Sequence, residues 1–326
     1  MPHMFDAVVA VTTRNRASSL DRCLTAVAAD SSQVSREILV VDNGSTDDTA
    51  EVVSQHAEHA VWPVRVVRGA RPGVARARNI AVAASEAPLI LFVDDDVTVH
   101  DGWADALVGA LSMPDVLAAG GRILPAWSGE VPAWLRDGPQ VTNAALEDYG
   151  AVSFDCDSAR LPFSANLGLR RAALAPFRPP FDERLGHRGR MAIGGEETHL
   201  LKQLLRTGVV RYEASAVVDH HVSAIRMDYG TIRRRMWQLG FGYARSERLL
   251  GAPQPGLPRA LVRTARVGRE AARERRRHAV AGDSTSGEAA WADFYTHFWW
   301  GAHTEMLTGR VPWLANLLAD RVMGHG

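Results

Sequence analysis

Four short apolar runs rich in β-branched residues lie in the first third of this 326-residue chain, and stretches of helical period separate them. The runs are Ala7–Val11, Glu37–Val41, Val64–Val67 and Leu89–Val93; the stretches between are Ser19–Ala29, Thr46–His56 and Val74–Ala84. Ser, Thr or Asp precedes each of the first two helices, where such residues suit an N-cap. Regular alternation of strand and helix predicts an α/β fold, a Rossmann-like and mostly parallel sheet flanked by helices. Ligands of open sheets collect at the carboxyl ends of the strands. Those ends carry Thr12, Thr13 and Arg14, then Asp42, Asn43 and Gly44, then Asp94, Asp95 and Asp96, so three polar clusters are expected to share one crevice.

The last cluster is the most demanding chemically. Three adjacent carboxylates at the end of a buried strand repel one another and lose solvation, unless a divalent cation or several fixed donors neutralise them. The acids therefore point to a metal.

Past residue 125 the pattern loosens. Residues 125–163 are rich in Pro, Gly and Trp (Pro125, Trp127, Pro132, Trp134, Pro139) and read as a long, partly structured excursion. A strand is expected at Ser164–Leu169, then a loop holding Gly186, His187, Arg188 and Gly189. A helix starts near Gly195, with Leu200, Leu201, Leu204 and Leu205 on one face and Gly208 ending it. Glu196 and Glu197 stand in its first turn, and the strand Val209–Val218 leads to His220 and His221. Beyond residue 226 the chain reads as helical. Arg259, Arg263, Arg266, Arg273 and Arg277 line one side of a helix, and after a polar linker Trp291, Phe294, Tyr295, Phe298 and Trp299 recur as an aromatic face.

Composition removes some classes of partner. Formal net charge is zero, which gives no global electrostatic case for nucleic acid. No run approaches the ~20 apolar residues needed to span a bilayer. Residues Met1 to Asp6 enter a strand without a signal-peptide pattern, so the expected compartment is the cytoplasm. Cys23 and Cys156 lack metal-type spacing and read as reduced, structural residues.

Seven segments, taken in order, carry a family likeness: VAVTTRNR from Val9 to Arg16, VVDNGST from Val40 to Thr46, GVARARN from Gly73 to Asn79, LFVDDDV from Leu91 to Val97, SANLGLRR from Ser164 to Arg171, GGEET from Gly194 to Thr198, and the His220–His221 pair. Together they resemble the family 2 glycosyltransferases over roughly residues 5 to 245. That resemblance implies a GT-A fold, a nucleotide-diphosphate sugar donor and an inverting transfer to a hydroxyl acceptor, assisted by Mn2+ or Mg2+. It implies a donor-binding half in residues 1–125 and an acceptor and catalytic-base half in 126–225, with 226–326 as a helical extension.

By the same resemblance Asp94–Asp96 correspond to the Asp-x-Asp motif. Asp96 is then the foremost metal ligand, joined by Asp94 and His220, while Asp94 and Asp95 touch ribose, metal-bound water or donor sugar. Asp42 would hold base or ribose, Thr12, Arg14 and Arg16 would complete the nucleotide pocket, and Arg78 and Asn79 would face pyrophosphate or sugar. The two glutamates match the family's acidic pair, whose second member usually deprotonates the acceptor. A glutamate replaces the usual aspartate there, which leaves the base open between Glu197 and Glu196. Asn166 and Arg170 are expected to bridge donor and acceptor halves.

Trp127, Trp134 and the loop carrying His187 are the acceptor-facing candidates, because aromatic faces stack on sugar CH groups. The acceptor stays open among a saccharide, a lipid-linked glycan and a small molecule, and the nucleotide among UDP, GDP and dTDP. The arginine and aromatic helices suit a homodimer contact or peripheral docking at the inner face of a membrane; the plainer reading is a helical layer with a solvated Arg face and an aromatic face packed on the core. Two rivals to an active transferase remain. One is a catalytically silent nucleotide-sugar-binding subunit. The other is a haloacid-dehalogenase-like phosphatase with Asp94 as nucleophile; its motif should follow the first strand rather than the fourth, and the only lysine, Lys202, lies inside the helix after Glu197.

Overall fold

The computed structural model describes residues 5–136, 148–188, 191–281 and 287–309. Its elements begin β1 (Ala7–Thr13), α1 (Ala17–Ala29), β2 (Arg36–Asp42), α2 (Thr49–His59), β3 (Val64–Arg68), α3 (Val74–Ala84) and β4 (Leu89–Asp94). They continue with β5 (Val97–Val99), α4 (Trp103–Leu111), β6 (Val116–Trp127), α5 (Ala133–Arg136), β7 (Phe154–Asp155), β8 (Asn166–Arg170), β9 (His187–Arg188) and β10 (Met191–Ala192). The last are α6 (Glu196–Leu204), β11 (Val209–Val222), α7 (Tyr229–Leu249), α8 (Leu257–Ala281) and α9 (Gly287–Thr308). Two compact units result. The first holds residues 1–126, 146–183 and 196–221, the second 127–145, 184–195 and 222–326.

In the first unit the strands run in the order β3-β2-β1-β4-β8-β6-β11-β5, and β7 pairs with β11. The strands β3, β2, β1 and β4 are parallel, whereas β8 runs antiparallel to both β4 and β6, and β5 antiparallel to β11. Residues of β1, β2 and β4 are buried almost without interruption, as expected for strands covered on both faces. The edge strand β3 instead alternates in exposure and carries Arg65 and Arg68, which discourage further pairing. Register levels the strand ends: Thr13 lies opposite Asp42, and Thr12 opposite Asp94.

Every parallel strand starts where the sequence places it or one residue earlier, and all four run one or two residues past their apolar runs into polar residues. The tips stay in the ladder because pairing is a backbone property, indifferent to side-chain polarity. Capping differs from expectation. The N-caps are Arg16 and Asp48, neither making a side-chain cap. Asp47 serves both helices instead, accepting from the Ala17 N–H (3.0 Å) and the Thr49 N–H (3.2 Å). The α6 helix stops at Leu204, and Gly208 is not its left-handed terminator; its missing Cβ leaves room for Leu117 beside it. The β11 strand runs four residues beyond the expected Val218, so both histidines lie within it.

Helices dominate the second unit, which also holds the β9–β10 pair. Gly240 of α7 sits against the Phe298 carbonyl of α9, and Gly301 of α9 against the Trp237 carbonyl of α7, a reciprocal contact too close for any Cβ. Such a crossing excludes rings from the contact. The buried side of α9 is therefore small and polar (Asp293, His297, Gly301, Ala302, Thr304, Glu305), and of the expected aromatic face only Phe294 is fully buried. Glu305 is neutralised by Arg245 (3.0 Å) and Arg248 (2.7 Å). Tyr295 is exposed, tilted against Trp291 (5.8 Å) and edge-on to Trp299 (6.0 Å). Among the described residues no helix is long and apolar enough to cross a membrane.

Candidate active site

All three acids at the end of β4 have fixed partners. Asp95 is buried and points back to β1, where it accepts from the Thr13 hydroxyl (2.7 Å) and from Arg16 Nη1 (2.8 Å). The same Arg16 nitrogen donates to Asp96 Oδ2 (2.9 Å), so one guanidinium bridges two carboxylates. Asp96 Oδ1 lies 3.3 Å from His220 Nε2, a meeting made possible because His220 pairs with Val97 across the β11–β5 ladder. Asp94, a third exposed, turns away toward Arg78 Nη2 (3.3 Å).

Arg78 is buried on α3 and links the two halves of the cluster. Its Nη2 holds Asp94 and its Nη1 donates to Glu196, the first residue of α6. Asn79 fixes the neighbouring chain, exchanging amide hydrogen bonds with the Phe181 backbone (2.8 and 2.9 Å), and the Phe181 ring lies 6.0 Å under the Arg78 guanidinium. Two left-handed glycines, Gly194 (φ 66°) and Gly195 (φ 87°), turn the chain into α6, a conformation side chains resist. Glu196 and Glu197 then occupy its first turn, where the helix dipole favours negative charge. Both Glu196 Oε2 and Glu197 Oε2 are buried without a hydrogen-bond partner among the described residues.

The electrostatics follow from this crowding. Burial is the main force raising the Glu197 carboxyl to about 7; the Glu196 charge adds to it, and Arg78 opposes. Burial likewise pushes Asp95 up to about 6, with Arg16 opposing and Asp96 adding. Burial alone would make the two arginines more acidic, but the surrounding carboxylates outweigh it and raise both Arg16 and Arg78 above the ordinary arginine range. Behind the cluster the buried Cys23 thiol approaches the Asp94 carbonyl (3.5 Å), and burial together with the three aspartates holds it protonated.

Other expected site residues fall in several places. Asp42 is buried at the tip of β2, its Oδ1 accepting from the Ser45 N–H (2.8 Å) and its Oδ2 lying 3.6 Å from Arg68. Thr12 is partly buried and Arg14 exposed at the tip of β1. Asn166, expected on the acceptor side, is fully buried and braces the sheet: it accepts from Trp103 Nε1 (2.8 Å) and donates to the Arg122 and Ala216 carbonyls (3.0 and 2.8 Å). Arg170 does not bridge two halves either. It pairs with Leu89, at the opposite end of β4 from the acids, and binds the carbonyls of Leu111, Met113 and Val116. Trp134 is buried edge-on against Tyr229 (5.0 Å) and Phe294 (5.7 Å), a core position rather than a sugar platform. Trp127 ends β6, partly buried. The backbone of His187 pairs with Ala192, and its side chain lies outside the described residues.

Sequence reasoning missed the bridge made by Arg16 and the anchor made by Thr13. It also missed Asn15, which takes a left-handed conformation (φ 52°) and accepts from the Thr46 N–H (2.7 Å), tying the β1 tip to the β2 tip. An Asn-Arg pair just past an apolar strand was the available signal.

Among the described residues no three acidic, histidine or cysteine side chains converge as a ready ligand set. Asp96 and His220 do meet; the carboxylate oxygen suits Mn2+ or Mg2+, which commonly complete their shell with water and phosphate, and the imidazole nitrogen beside it favours Mn2+, the softer of the two.

Acids at the carboxyl ends of a parallel sheet, an arginine joining them to a second acidic pair, and a histidine beside the last acid gather at the strand tips of a GT-A α/β fold. The chain belongs to glycosyl transferase family 2, whose family model matches residues 8–175. The pre-mycofactocin glycosyltransferase of Mycobacterium tuberculosis is 28% identical over 234 residues, 67% of this chain and 43% of that protein. The chain thus spans less than half the length of that relative. In fold it is similar to the Pyrobaculum calidifontis mannosyltransferase PcManGT solved with GDP-Man and Mn2+ (TM-score 0.56, 18% identity, 99% of this chain, 77% of that one). GalNAc-T7, solved with UDP, GalNAc and Mn2+, gives a TM-score of 0.54 at 15% identity, covering 78% of this chain and 52% of that one.

Proposed function

We propose that this protein is a metal-dependent inverting glycosyltransferase, moving a sugar from a nucleoside-diphosphate donor to a hydroxyl acceptor. The observation that carries the reading is the Asp94–Arg78–Glu196 chain, which ties the acids of β4 to the first turn of α6 and leaves Glu197 beside them with a buried, unpartnered oxygen. Residues up to about 125 form the donor side and those to about 225 supply the base. In this reading Asp42, Thr12 and Arg14, at the tips of β1 and β2, would hold the nucleoside, and Asp94, a third exposed, would reach it.

Glu197 is the base in this assignment. Glu196 is engaged by Arg78, whereas Glu197 has an oxygen free to accept a proton and titrates near the operating pH. Its carboxylate takes the acceptor proton as the acceptor oxygen attacks the anomeric carbon, and the nucleoside diphosphate leaves from the opposite face. Mn2+ or Mg2+, held by Asp96 and His220 with Asp94 nearby, would stabilise the negative charge of that leaving group. Arg16 and Arg78 keep the acids from repelling the incoming diphosphate.

Two rivals are weaker. A phosphatase would need Asp94 as a free nucleophile, and Arg78 holds it. A silent binding subunit has no use for a glutamate kept near neutrality at the helix start. The test is thermal-shift binding of UDP, GDP and dTDP with and without Mn2+, on the native protein and on Asp96→Asn. Stabilisation by one nucleotide that needs the metal and is lost in Asp96→Asn is expected; no response to any nucleotide overturns the reading.

A further inference from the structure

The longest helix of the second unit has a face the transferase reading does not use. Helix α8 is 25 residues long, about 37 Å at 1.5 Å per residue. Small residues make its buried side: Ala260 and Ala271 are fully buried, Thr264 donates to the His303 carbonyl of α9 (2.9 Å), and Gly268 faces Trp300. The opposite side follows from helical spacing. Val262, Arg266, Arg269, Arg273, Arg276 and Val280 succeed one another by alternating steps of four and three, and all six are exposed.

No acid falls within that stripe. Glu270 and Glu274 lie beside it, pairing with Arg266 (3.2 Å) and Arg277 (2.7 Å), and among the described residues Arg269, Arg273 and Arg276 face no carboxylate. The helix holds eight arginines against two glutamates, while the whole chain is formally neutral, so positive charge is concentrated here. Two apolar residues flank the charge at the ends of the stripe, Val262 at 68% and Val280 at 90% exposure.

We propose that the outward stripe of α8 is a docking surface for an anionic lipid bilayer. Arginines along one helix face attract acidic headgroups, and the valines at either end of that run gain by entering the boundary between headgroups and acyl chains. A nucleic-acid backbone would answer the charge but offer nothing to the valines, and the rest of the chain is acidic. On α9, against which α8 packs, Tyr295 is also exposed beside Trp291 and Trp299, ring types that favour the membrane interface. This surface shares no residue with the acidic cluster and does not depend on its chemistry.

The experiment is co-sedimentation of the full chain with vesicles of phosphatidylglycerol and phosphatidylcholine in equal parts, or of phosphatidylcholine alone, at rising salt. Binding is expected only to the anionic vesicles and should fade as salt screens it. In the triple variant Arg269→Gln, Arg273→Gln, Arg276→Gln the partition constant should fall about a hundredfold, and in Arg273→Gln alone about fivefold. Val262→Asp should also weaken binding, without removing an arginine. Should the triple variant misfold, as read by circular dichroism, the single variants carry the test. Equal binding to neutral vesicles, native partition by the folded variants, or release from vesicles by duplex DNA at equal phosphate concentration would each overturn the proposal.

Discussion

Replacing Glu197 with glutamine separates the role of its proton from the rest of the site. A carboxyl that titrates at about 7 rather than at its ordinary 4.5 holds its proton more tightly in the fold than in the unfolded chain. That preference is worth on the order of 3 kcal/mol. The sign follows from linkage. Because the folded state binds the extra proton, the stabilisation is complete below about pH 4.5 and is lost as pH rises through about 7. Asp95, raised to about 6, adds a fall of the same sign at lower pH in both proteins, so subtracting one profile from the other isolates Glu197. Urea unfolding of the native protein and of Glu197→Gln, measured from pH 4.5 to pH 8.5 without ligand, should give curves that diverge through this window by up to ~3 kcal/mol in favour of glutamine. Transfer should move the opposite way, falling by ~10² or more while nucleotide binding stays near native. The ascending limb of the native pH–rate profile should have its midpoint near 7. Parallel unfolding curves would show that Glu197 holds no excess proton, and the case for it as base would fail with them.

Five other substitutions, at four positions, probe the scaffold. Arg78→Met strands the carboxylates of Asp94 and Glu196 without their shared cation, and should cost ~3–5 kcal/mol in unfolding free energy; Arg78→Lys should recover part of the stability but little transfer, since one ammonium cannot reproduce the fork. Gly301→Ala drives a methyl into the Trp237 carbonyl and should destabilise by ~1–3 kcal/mol, whereas Gly109→Ala, with open space at its Cβ position, should not destabilise on thermal unfolding. Trp134→Ala should lose ~3–5 kcal/mol of stability, the signature of a core aromatic; a raised acceptor KM at unchanged stability would restore Trp134 to the acceptor site.

What was legible in the sequence follows from which interactions are local. The parallel strands and α3 were readable because apolar runs and helical period are properties of neighbouring residues, and Asp94–Asp96 because acids directly after a buried run are rare. Contacts between distant segments left no such trace. Arg16 reaches Asp95 across 79 positions, and only the register of β1 on β4 makes that meeting visible. Asn166 was misjudged for a related reason: a polar residue beside a family motif reads as a ligand contact, but the backbone carbonyls it satisfies come from β6 and β11. The histidines were placed beyond their strand because Asp219, His220 and His221 look like a loop. In β11 alternate residues face alternate sides, which buries His220 against Asp96 and turns His221 toward Thr98. The aromatic stripe of α9 was read as a core face because rings prefer burial, yet two glycines set the α7–α9 spacing, and only Phe294 is fully buried while Trp291, Phe298 and Trp299 are partly buried and Tyr295 is exposed.

The same internal ion pairs change what a metal would do for this protein. Three clustered acids need compensation, and from the sequence a divalent cation was the economical answer. In the fold Arg16 already bridges Asp95 and Asp96, Thr13 donates to Asp95, and Arg78 serves Asp94 and Glu196. The acids are thus compensated before any cation arrives, and metal binding should couple to nucleotide binding rather than to folding. Incubation with EDTA should leave the thermal unfolding of the unliganded protein unchanged, in contrast with proteins whose metal site supplies folding energy. The same treatment should abolish the added stabilisation given by a nucleoside diphosphate, because diphosphate and metal complete each other's coordination. A drop in unfolding temperature on chelation alone would mean that the arginines do not suffice and that the cation is part of the fold.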